Sequence, residues 1–334
     1  MFLVWTKFLV CACLIGLAGP VLTRNADIIA RRTGVSRSWI GLFLLATATS
    51  LPELLTGVSA VAAAGAPNIA VGDALGSCVF NLVLLVFLDA MHREAPMYSR
   101  MDPSHILTAG FGIILIGFVG ASVLLGNADV APGLFHVGIS SLVVLVVYFI
   151  AMRSVFVYEG RRPPLALAPD ENPHVTLRMA VTRYLAAAVL VVGAGAWLPF
   201  VGLEIAEVMG WGTTFVGTLL IAGATSLPEL VVTISALRLG SLDMAIANLL
   251  GSNLFDALVI AIDDLAYVKG PLLSQVSPVH AVTAFAAVIM SGIVIVSLLY
   301  RPASRFRGTI GWTSLSLLVM YFASTYAVYL YGGL

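Results

Sequence analysis

The seven-residue segment ATSLPEL occurs twice, at positions 48–54 and 224–230, and each copy places a glutamate inside a long apolar stretch. Of the 334 residues, 60% are hydrophobic and only 10% are charged. Soluble domains carry about 25% charged residues, so this chain cannot cover a water-facing surface. The sequence therefore predicts an integral membrane protein. Its formal net charge of zero gives no support for binding nucleic acid.

Ten segments are apolar and long enough to cross a bilayer, which takes about 20 residues. They lie at 3–23, 38–64, 67–91, 105–126, 133–152, 179–201, 213–237, 242–265, 279–300 and 309–331. The first also fits a signal peptide, with Lys7 before the apolar run. The internal repeat described below favours a retained first span. The expected fold is an all-α membrane protein of ten helices.

The basic residues fall on one side of this ten-span layout. Fifteen of the 17 lysines and arginines follow odd-numbered spans or surround segment 159–176, and only Lys7 and Lys269 lie opposite. Positive loops face the cytoplasm. The sequence thus predicts a multi-pass protein of the cell membrane with both termini outside. Segment 159–176, rich in proline and charge, is predicted to be a cytoplasmic linker.

The two halves of the chain repeat each other. GLFLLATATSLPEL (41–54) matches GTLLIAGATSLPEL (217–230) at a shift of 176, and GDALGSCVFN (72–81) matches ANLLGSNLFD (247–256) at a shift of 175. Five spans separate the copies, and an odd number inverts the second half in the membrane. The predicted domains are a first repeat at 1–158, the linker at 159–176 and a second repeat at 177–334. Inverted repeats of this kind are typical of transporters with discontinuous helices and a site at the midplane.

The duplicated motif has the pattern of a helix start. Ser50 can cap, Pro52 suits the first turn, and Glu53 stands where a capping box places its acid. The second copy repeats these residues as Ser226, Pro228 and Glu229. A carboxylate at mid-span costs about 2.5–3.5 kcal/mol, and glutamine would cap as well. The retained charge therefore indicates a function beyond capping.

The motif also supplies oxygen atoms. Each proline removes a backbone donor, so we expect free carbonyl oxygens at 46–49 and 222–225. Hydroxyls at Thr49, Ser50, Thr225 and Ser226 stand beside the glutamates. Calcium takes about 6–8 such hard ligands. No histidine is near either motif and the one sulfur is Cys78, so sites for soft metals are disfavoured.

The span after each motif adds polar residues on one helical face. They are Asp73, Ser77 and Asn81 in the first half and Asn248, Ser252 and Asp256 in the second. Hydrogen bonding between helices is the other interpretation of this face, most of all for Asp73, which lies nearer the end of its span. Asp263 and Asp264 follow at a helix end, where we expect a solvated role.

With these residues, the sequence resembles the sodium/calcium exchanger family of cation/calcium antiporters, in a minimal prokaryotic form. The resemblance rests on ATSLPEL…GSCVFN and ATSLPEL…GSNLFD and covers nearly the whole chain. It implies ten helices and one shared site for calcium and sodium. The implied ligands are side chains of Glu53, Glu229, Thr49, Ser50, Ser77, Thr225, Ser226, Ser252, Asn81 and Asp256, with the carbonyls of Ala46 and Ala222. Two departures between the repeats bear on the site: Cys78 stands opposite Asn253, and Asp73, opposite Asn248, adds a possible carboxylate.

Antiport follows from the charge of such a site. Uncompensated carboxylates are unstable in a low-dielectric barrier, so the protein can switch sides only with cations bound. Spans one and six, which carry Gly16, Gly19, Gly193 and Gly195, are the candidates to slide; static close packing explains these glycines equally well. Coupling to protons, or cotransport of potassium, remains an alternative to sodium. An intramembrane hydrolase or a scaffold fits less well, because no base serves a serine nucleophile and a scaffold leaves the duplicated acids unexplained. No enzyme activity, cofactor or partner protein is expected.

Overall fold

The computed structural model describes residues 1–33, 46–91, 97–102, 104–126, 133–160, 174–238, 242–302, 305–306 and 310–332. Within these ranges the chain is helical, with two short antiparallel hairpins. In the first half the helices are α1 (Phe2–Thr33), α2 (Ala46–Thr49), α3 (Leu51–Ser59), α4 (Pro67–Met91), α5 (Met97–Arg100), α6 (His105–Gly126) and α7 (Ile139–Gly160). In the second half they are α8 (Leu177–Met209), α9 (Thr213–Phe215), α10 (Ala222–Thr225), α11 (Leu227–Arg238), α12 (Leu242–Ala266), α13 (His280–Tyr300) and α14 (Trp312–Tyr331). The hairpins pair β1 (Gly133–Leu134) with β2 (Val137–Gly138) and β3 (Arg305–Phe306) with β4 (Ile310–Gly311).

The predicted all-α membrane architecture is confirmed. Eight of the described helices are long and apolar enough to span a bilayer, and the pair Thr213–Thr225 and Leu227–Arg238, bent by 42°, makes a ninth. The span predicted at 38–64 is described only from Ala46 onward, where Leu51–Ala64 forms a shorter apolar helix. Two helices begin later than the predicted spans, α7 at Ile139 after the β1–β2 hairpin and α14 at Trp312 after strand β4. The linker predicted at 159–176 lies mostly outside the described residues.

The interior is formed by α4 and α12, which are buried over nearly their whole length. They pack against each other, with α6, α7, α13 and α14 around them. The long helices α1 and α8 pack together on one side, where Lys7 and Glu204 form an ion pair of 2.7 Å. Because protein surrounds α4 and α12, their polar faces meet other protein groups instead of lipid.

Hydrogen bonds at the helix ends preserve the inverted repeat. At one membrane face the Asn68 side chain joins the start of α4 to the start of α13, and its equivalent at the other face, Asp243, joins α12 to α6. The four contacts are Ser277 N to Asn68 Oδ1 at 2.7 Å, His280 Nε2 with Asn68 Oδ1 at 3.2 Å, Asp102 N to Asp243 Oδ1 at 2.9 Å and His105 Nε2 with Asp243 Oδ1 at 3.0 Å. Every partner is shifted by 175 residues from its equivalent.

Asp264 and its repeat equivalent Asp89 form a second such pair, and the expectation that Asp264 is solvated was wrong. Asp264 is buried and accepts hydrogen bonds from the amides of Gly138 and Leu272, at 2.8 and 2.6 Å. Its repeat partner Asp89 likewise receives the amide of Gly311. Both carboxylates therefore fix a hairpin to the end of a central helix.

The one-residue difference between the repeats coincides with a local change in helix type. Between positions 54 and 72 the first copy holds one residue more than the second. In this interval, residues 60–64 form a π-helical turn, which ends at Gly65 in the left-handed conformation, with φ of 63°. A π turn absorbs one extra residue without ending the helix.

Candidate functional site

Both copies of the motif interrupt a helix in the middle of the molecule. The break falls at Ser50, with φ of −93° and ψ of 13°, and at Ser226, with φ of −80° and ψ of 10°. Proline enters the first turn after Ser50 as the sequence predicts. The predicted capping box was wrong for Ser50, whose side chain makes no hydrogen bond to its own helix.

The serines instead bind the glutamate of the opposite motif. Ser50 Oγ donates to Glu229 Oε1 at 3.1 Å, and Ser226 Oγ donates to Glu53 Oε1 at 3.3 Å. Ser252 Oγ also reaches Glu229 Oε1, at 3.4 Å, and Ser226 Oγ lies 3.1 Å from Ser77 Oγ. The two inverted motifs thus meet at one place, and each glutamate accepts a hydrogen bond from a hydroxyl of the other half.

Asp73 belongs to this same group of side chains. Thr225 Oγ1 donates to Asp73 Oδ1 at 2.8 Å and also contacts the carbonyl oxygens of Ile221 and Ala222. Asp73 therefore does form a bond between elements, as one interpretation of the sequence expects. Its partner, however, is a candidate ligand of the second motif, so the carboxyl adjoins the site.

The other end of the polar face holds a thiol and three amide or carboxyl groups. Cys78 Sγ lies 3.7 Å from Asp256 Oδ2, and Asn81 Nδ2 donates to Asn253 Oδ1 at 3.1 Å. Asn253 Nδ2 in turn donates to the carbonyl of Cys78 at 3.2 Å. Asn253 was not among the predicted site residues, although its position opposite Cys78 in the repeat indicates it.

The backbone oxygens differ from the expectation. The Ala222 carbonyl, expected to be free, accepts the Ser226 amide at 3.0 Å and the Thr225 hydroxyl at 3.2 Å. Ala46 begins helix α2. The roles of both carbonyls as ligands stay predictions.

The candidate side chains are together and shielded from solvent. Each of them is at most 1% exposed: Thr49, Ser50, Glu53, Asp73, Ser77, Asn81, Thr225, Ser226, Glu229, Ser252 and Asp256. Each of the four carboxyls keeps one oxygen that no hydrogen bond satisfies, as does the amide oxygen of Asn81. Within the described ranges, no three His, Cys, Asp or Glu side chains stand together at metal-binding distances. A cation here would draw on carboxylates, hydroxyls and amides from both halves.

Comparison with known proteins gives matches over nearly the whole chain. The family model described as sodium/calcium exchanger protein matches residues 3–166 and 179–330. The CaxA protein of Alkalimonas amylolytica is 31% identical over 246 residues, which cover 71% of this chain and 72% of CaxA. The sodium/calcium exchanger MaX1 of Methanosarcina acetivorans is 27% identical over 279 residues, covering 73% and 77%. Among solved structures, the sodium-calcium exchanger NCX_Mj superposes with a TM-score of 0.61 at 24% identity, over 97% of this chain and 98% of that one.

Proposed function

This chain belongs to the sodium/calcium exchanger family, and we propose that it exchanges calcium for sodium across the cell membrane by alternating access at one shared site. As a member of that family it is a cation/calcium antiporter of the membrane. The observation that carries the finer proposal is the crossed contact of the two motifs, Ser50 with Glu229 and Ser226 with Glu53. A site built equally from two inverted halves can open to either side without rebuilding its ligands.

Charge compensation couples the two ions. Glu53 and Glu229 are buried, and uncompensated carboxylates cost several kcal/mol each in a low-dielectric interior. One calcium ion, or several sodium ions, can neutralise them through the same oxygens. Each ion therefore excludes the other, and the protein changes sides only when one of them is bound. We propose no enzymatic step, cofactor or protein partner for this cycle.

The moving part of the proposed cycle is the pair α1 and α8. Gly19 of α1 packs on the ring of Pro228, where an added Cβ would collide, and Gly195 of α8 lies against Leu55 and the Pro52 carbonyl, where an added Cβ would be crowded. Gly19 and Gly195 are equivalent in the repeat, at a shift of 176. The sliding helices thus touch each motif at its proline. Gly193, which was expected to join this contact, has nothing within 4 Å of an added Cβ.

A sodium gradient alone should drive calcium uptake. In proteoliposomes loaded with sodium and diluted into sodium-free medium, we expect calcium to accumulate, because sodium leaving the vesicle frees the shared oxygens for calcium. The measurement is calcium-45 uptake with the membrane potential clamped and pH equal on both sides. Sodium-loaded and choline-loaded vesicles form the matched pair.

The alternative coupling ions give different results in the same assay. The additional carboxyl of Asp73 favours coupling to protons or cotransport of potassium, since it adds a negative charge to those of Glu53, Glu229 and Asp256. Calcium uptake that is independent of the sodium gradient but is driven by a pH gradient would show that protons, not sodium, are the coupling ion. Uptake that needs sodium and potassium together would identify a potassium-dependent exchanger.

Both termini should lie outside the cell, as the distribution of basic residues predicts. Tyr331, at the end of α14, is 55% exposed, and Tyr158, near the end of α7, is 42% exposed. Single cysteines at these positions, with the three native cysteines replaced by serine, report on opposite faces. An impermeant thiol reagent applied to intact cells should label Tyr331→Cys and spare Tyr158→Cys until the cells are permeabilised. The reverse pattern would overturn the orientation.

A further inference from the structure

Asp263 is a fully buried carboxyl outside the described site. It was expected to be solvated at the end of α12, yet its exposed fraction is 0%. Neither of its oxygens has a hydrogen-bond partner, whereas its neighbour Asp264 is bonded to two backbone amides. Burying a charged carboxylate without a hydrogen-bond partner lowers the stability of the fold. A role other than stability therefore explains this residue.

The chain makes room for this carboxyl at Gly57 of α3. A Cβ atom on Gly57 would lie 2.6 Å from Asp263 Oδ1 and closer still to Oδ2. The carboxyl therefore rests directly on the main chain of the helix that carries Glu53. Any side chain at position 57 would displace it.

The inverted repeat lacks both residues in its other half. The position equivalent to Asp263 is Leu88, and the position equivalent to Gly57 is Thr233. The acid and the glycine that accommodates it occur together in one half of the structure only. Asp73, on the adjacent helix α4, is also replaced by a neutral residue, Asn248, in the other half.

These acids lie toward one face of the membrane, here called the Gly65 face. At this face the π turn ends at Gly65, α12 ends at Ala266, and Lys269 lies 3.8 Å from the Cβ position of Gly65. Asp263 is seven residues beyond Asp256 on α12, about 10 Å along the helix axis. It therefore lies between the central site and the Gly65 face.

We propose that Asp263 is a proton-binding carboxyl that is protonated while the Gly65 side is closed and ionised when water enters from that side. The proposal rests on the alternating access argued above. A proton compensates the buried charge without further ligands, which suits a carboxyl packed on glycine main chain. Once ionised, Asp263 adds a negative charge between the Gly65 face and the site, and this charge attracts entering cations.

Other titratable groups surround this position and must be separated from it. Asp256 and Asp264 share its helix, Glu53 comes from α3 and Asp73 from α4. At the Gly65 face, His136 contacts the Leu265 carbonyl at 3.2 Å, and Lys269 follows α12. His105 and Arg153 lie toward the ends of α6 and α7 that are far from the Gly65 face. Of these, His136 lies at the same face as Asp263 and belongs neither to the site nor to α12, so it provides the control.

Asp263→Asn, which mimics the protonated form, tests the proposal. In oriented proteoliposomes, the apparent calcium affinity from the Gly65 face should weaken in the wild type as pH falls. In Asp263→Asn the affinity should vary less with pH than in the wild type, and at alkaline pH it should be roughly tenfold weaker, the effect of one charge at about 10 Å. His136→Gln should retain the wild-type pH dependence. Unchanged pH dependence in Asp263→Asn, or its loss in His136→Gln, would overturn the proposal.

A spectroscopic measurement separates this inference from the proposed transport function. Infrared difference spectra of the purified protein between acid and alkaline pH should contain a protonated-carboxyl band that Asp263→Asn removes and Asp264→Asn leaves. This band does not depend on which ion the protein exchanges. A spectrum identical in Asp263→Asn and the wild type would contradict the assignment even if sodium–calcium exchange were confirmed.

Discussion

Replacing either Glu53 or Glu229 by glutamine should abolish calcium exchange while leaving a folded protein. The side-chain carbonyl oxygen of glutamine can still accept a hydrogen bond from the hydroxyl of Ser226 or Ser50, so the crossed contact of the two motifs survives. It removes one negative charge from a site that must balance a divalent ion. Leaving one partner of a buried charge pair uncompensated costs about 3–5 kcal/mol, which corresponds to more than about a hundredfold in affinity.

The measurement is calcium uptake into proteoliposomes, with size-exclusion elution and thermal unfolding as tests of the fold. Glu204→Gln is the matched control, since Glu204 is a partly exposed glutamate that pairs with Lys7 and is not one of the candidate site residues. It should exchange calcium at close to the wild-type rate. Wild-type exchange by folded Glu53→Gln or Glu229→Gln would exclude the shared carboxylate site.

The central part of this structure could be predicted from the sequence because two independent patterns agreed. The duplicated ATSLPEL motif gave the inverted halves, and the basic residues gave the span count. The polar face of Asp73, Ser77 and Asn81 was placed on the correct helix because its four-residue spacing fixes one side. The structure brings these residues to the motifs, as the family resemblance implies.

What the sequence could not give was the partner of each side chain. A capping box and a contact with the opposite motif need the same serine, and local sequence cannot decide between them for Ser50. Burial at helix ends was also missed, since an acid near a span boundary is normally solvated. For Asp264 a signal was present: Asp89 repeats it at a shift of 175, as His105 repeats at His280. Extending the repeat alignment beyond the motifs would have indicated paired structural roles.

Gly19→Ala should slow exchange about tenfold or more, the largest effect we expect outside the carboxylates. The new Cβ would lie 2.5 Å from Pro228 Cβ, so α1 and the second motif cannot keep their present contact. Overpacking of this kind costs about 1–3 kcal/mol, and each 1.4 kcal/mol corresponds to a factor of ten. If α1 slides along the motif, the overpacking destabilises only the state in which α1 and the second motif are in close contact. The equilibrium between the two transport states therefore shifts. Equilibrium calcium binding should change less than the exchange rate.

Gly193→Ala is the matched control, because the same substitution on α8 meets nothing within 4 Å. It should exchange at close to the wild-type rate, since alanine is also the better helix former. The comparison uses calcium-45 exchange for the rate, calorimetric titration for binding and thermal unfolding for stability. If Gly19→Ala lowered the unfolding temperature and left the exchange rate of the remaining folded protein unchanged, the glycine contact would be static packing. Loss of rate with retained binding and stability would instead place the moving interface of the transporter where Gly19 meets Pro228.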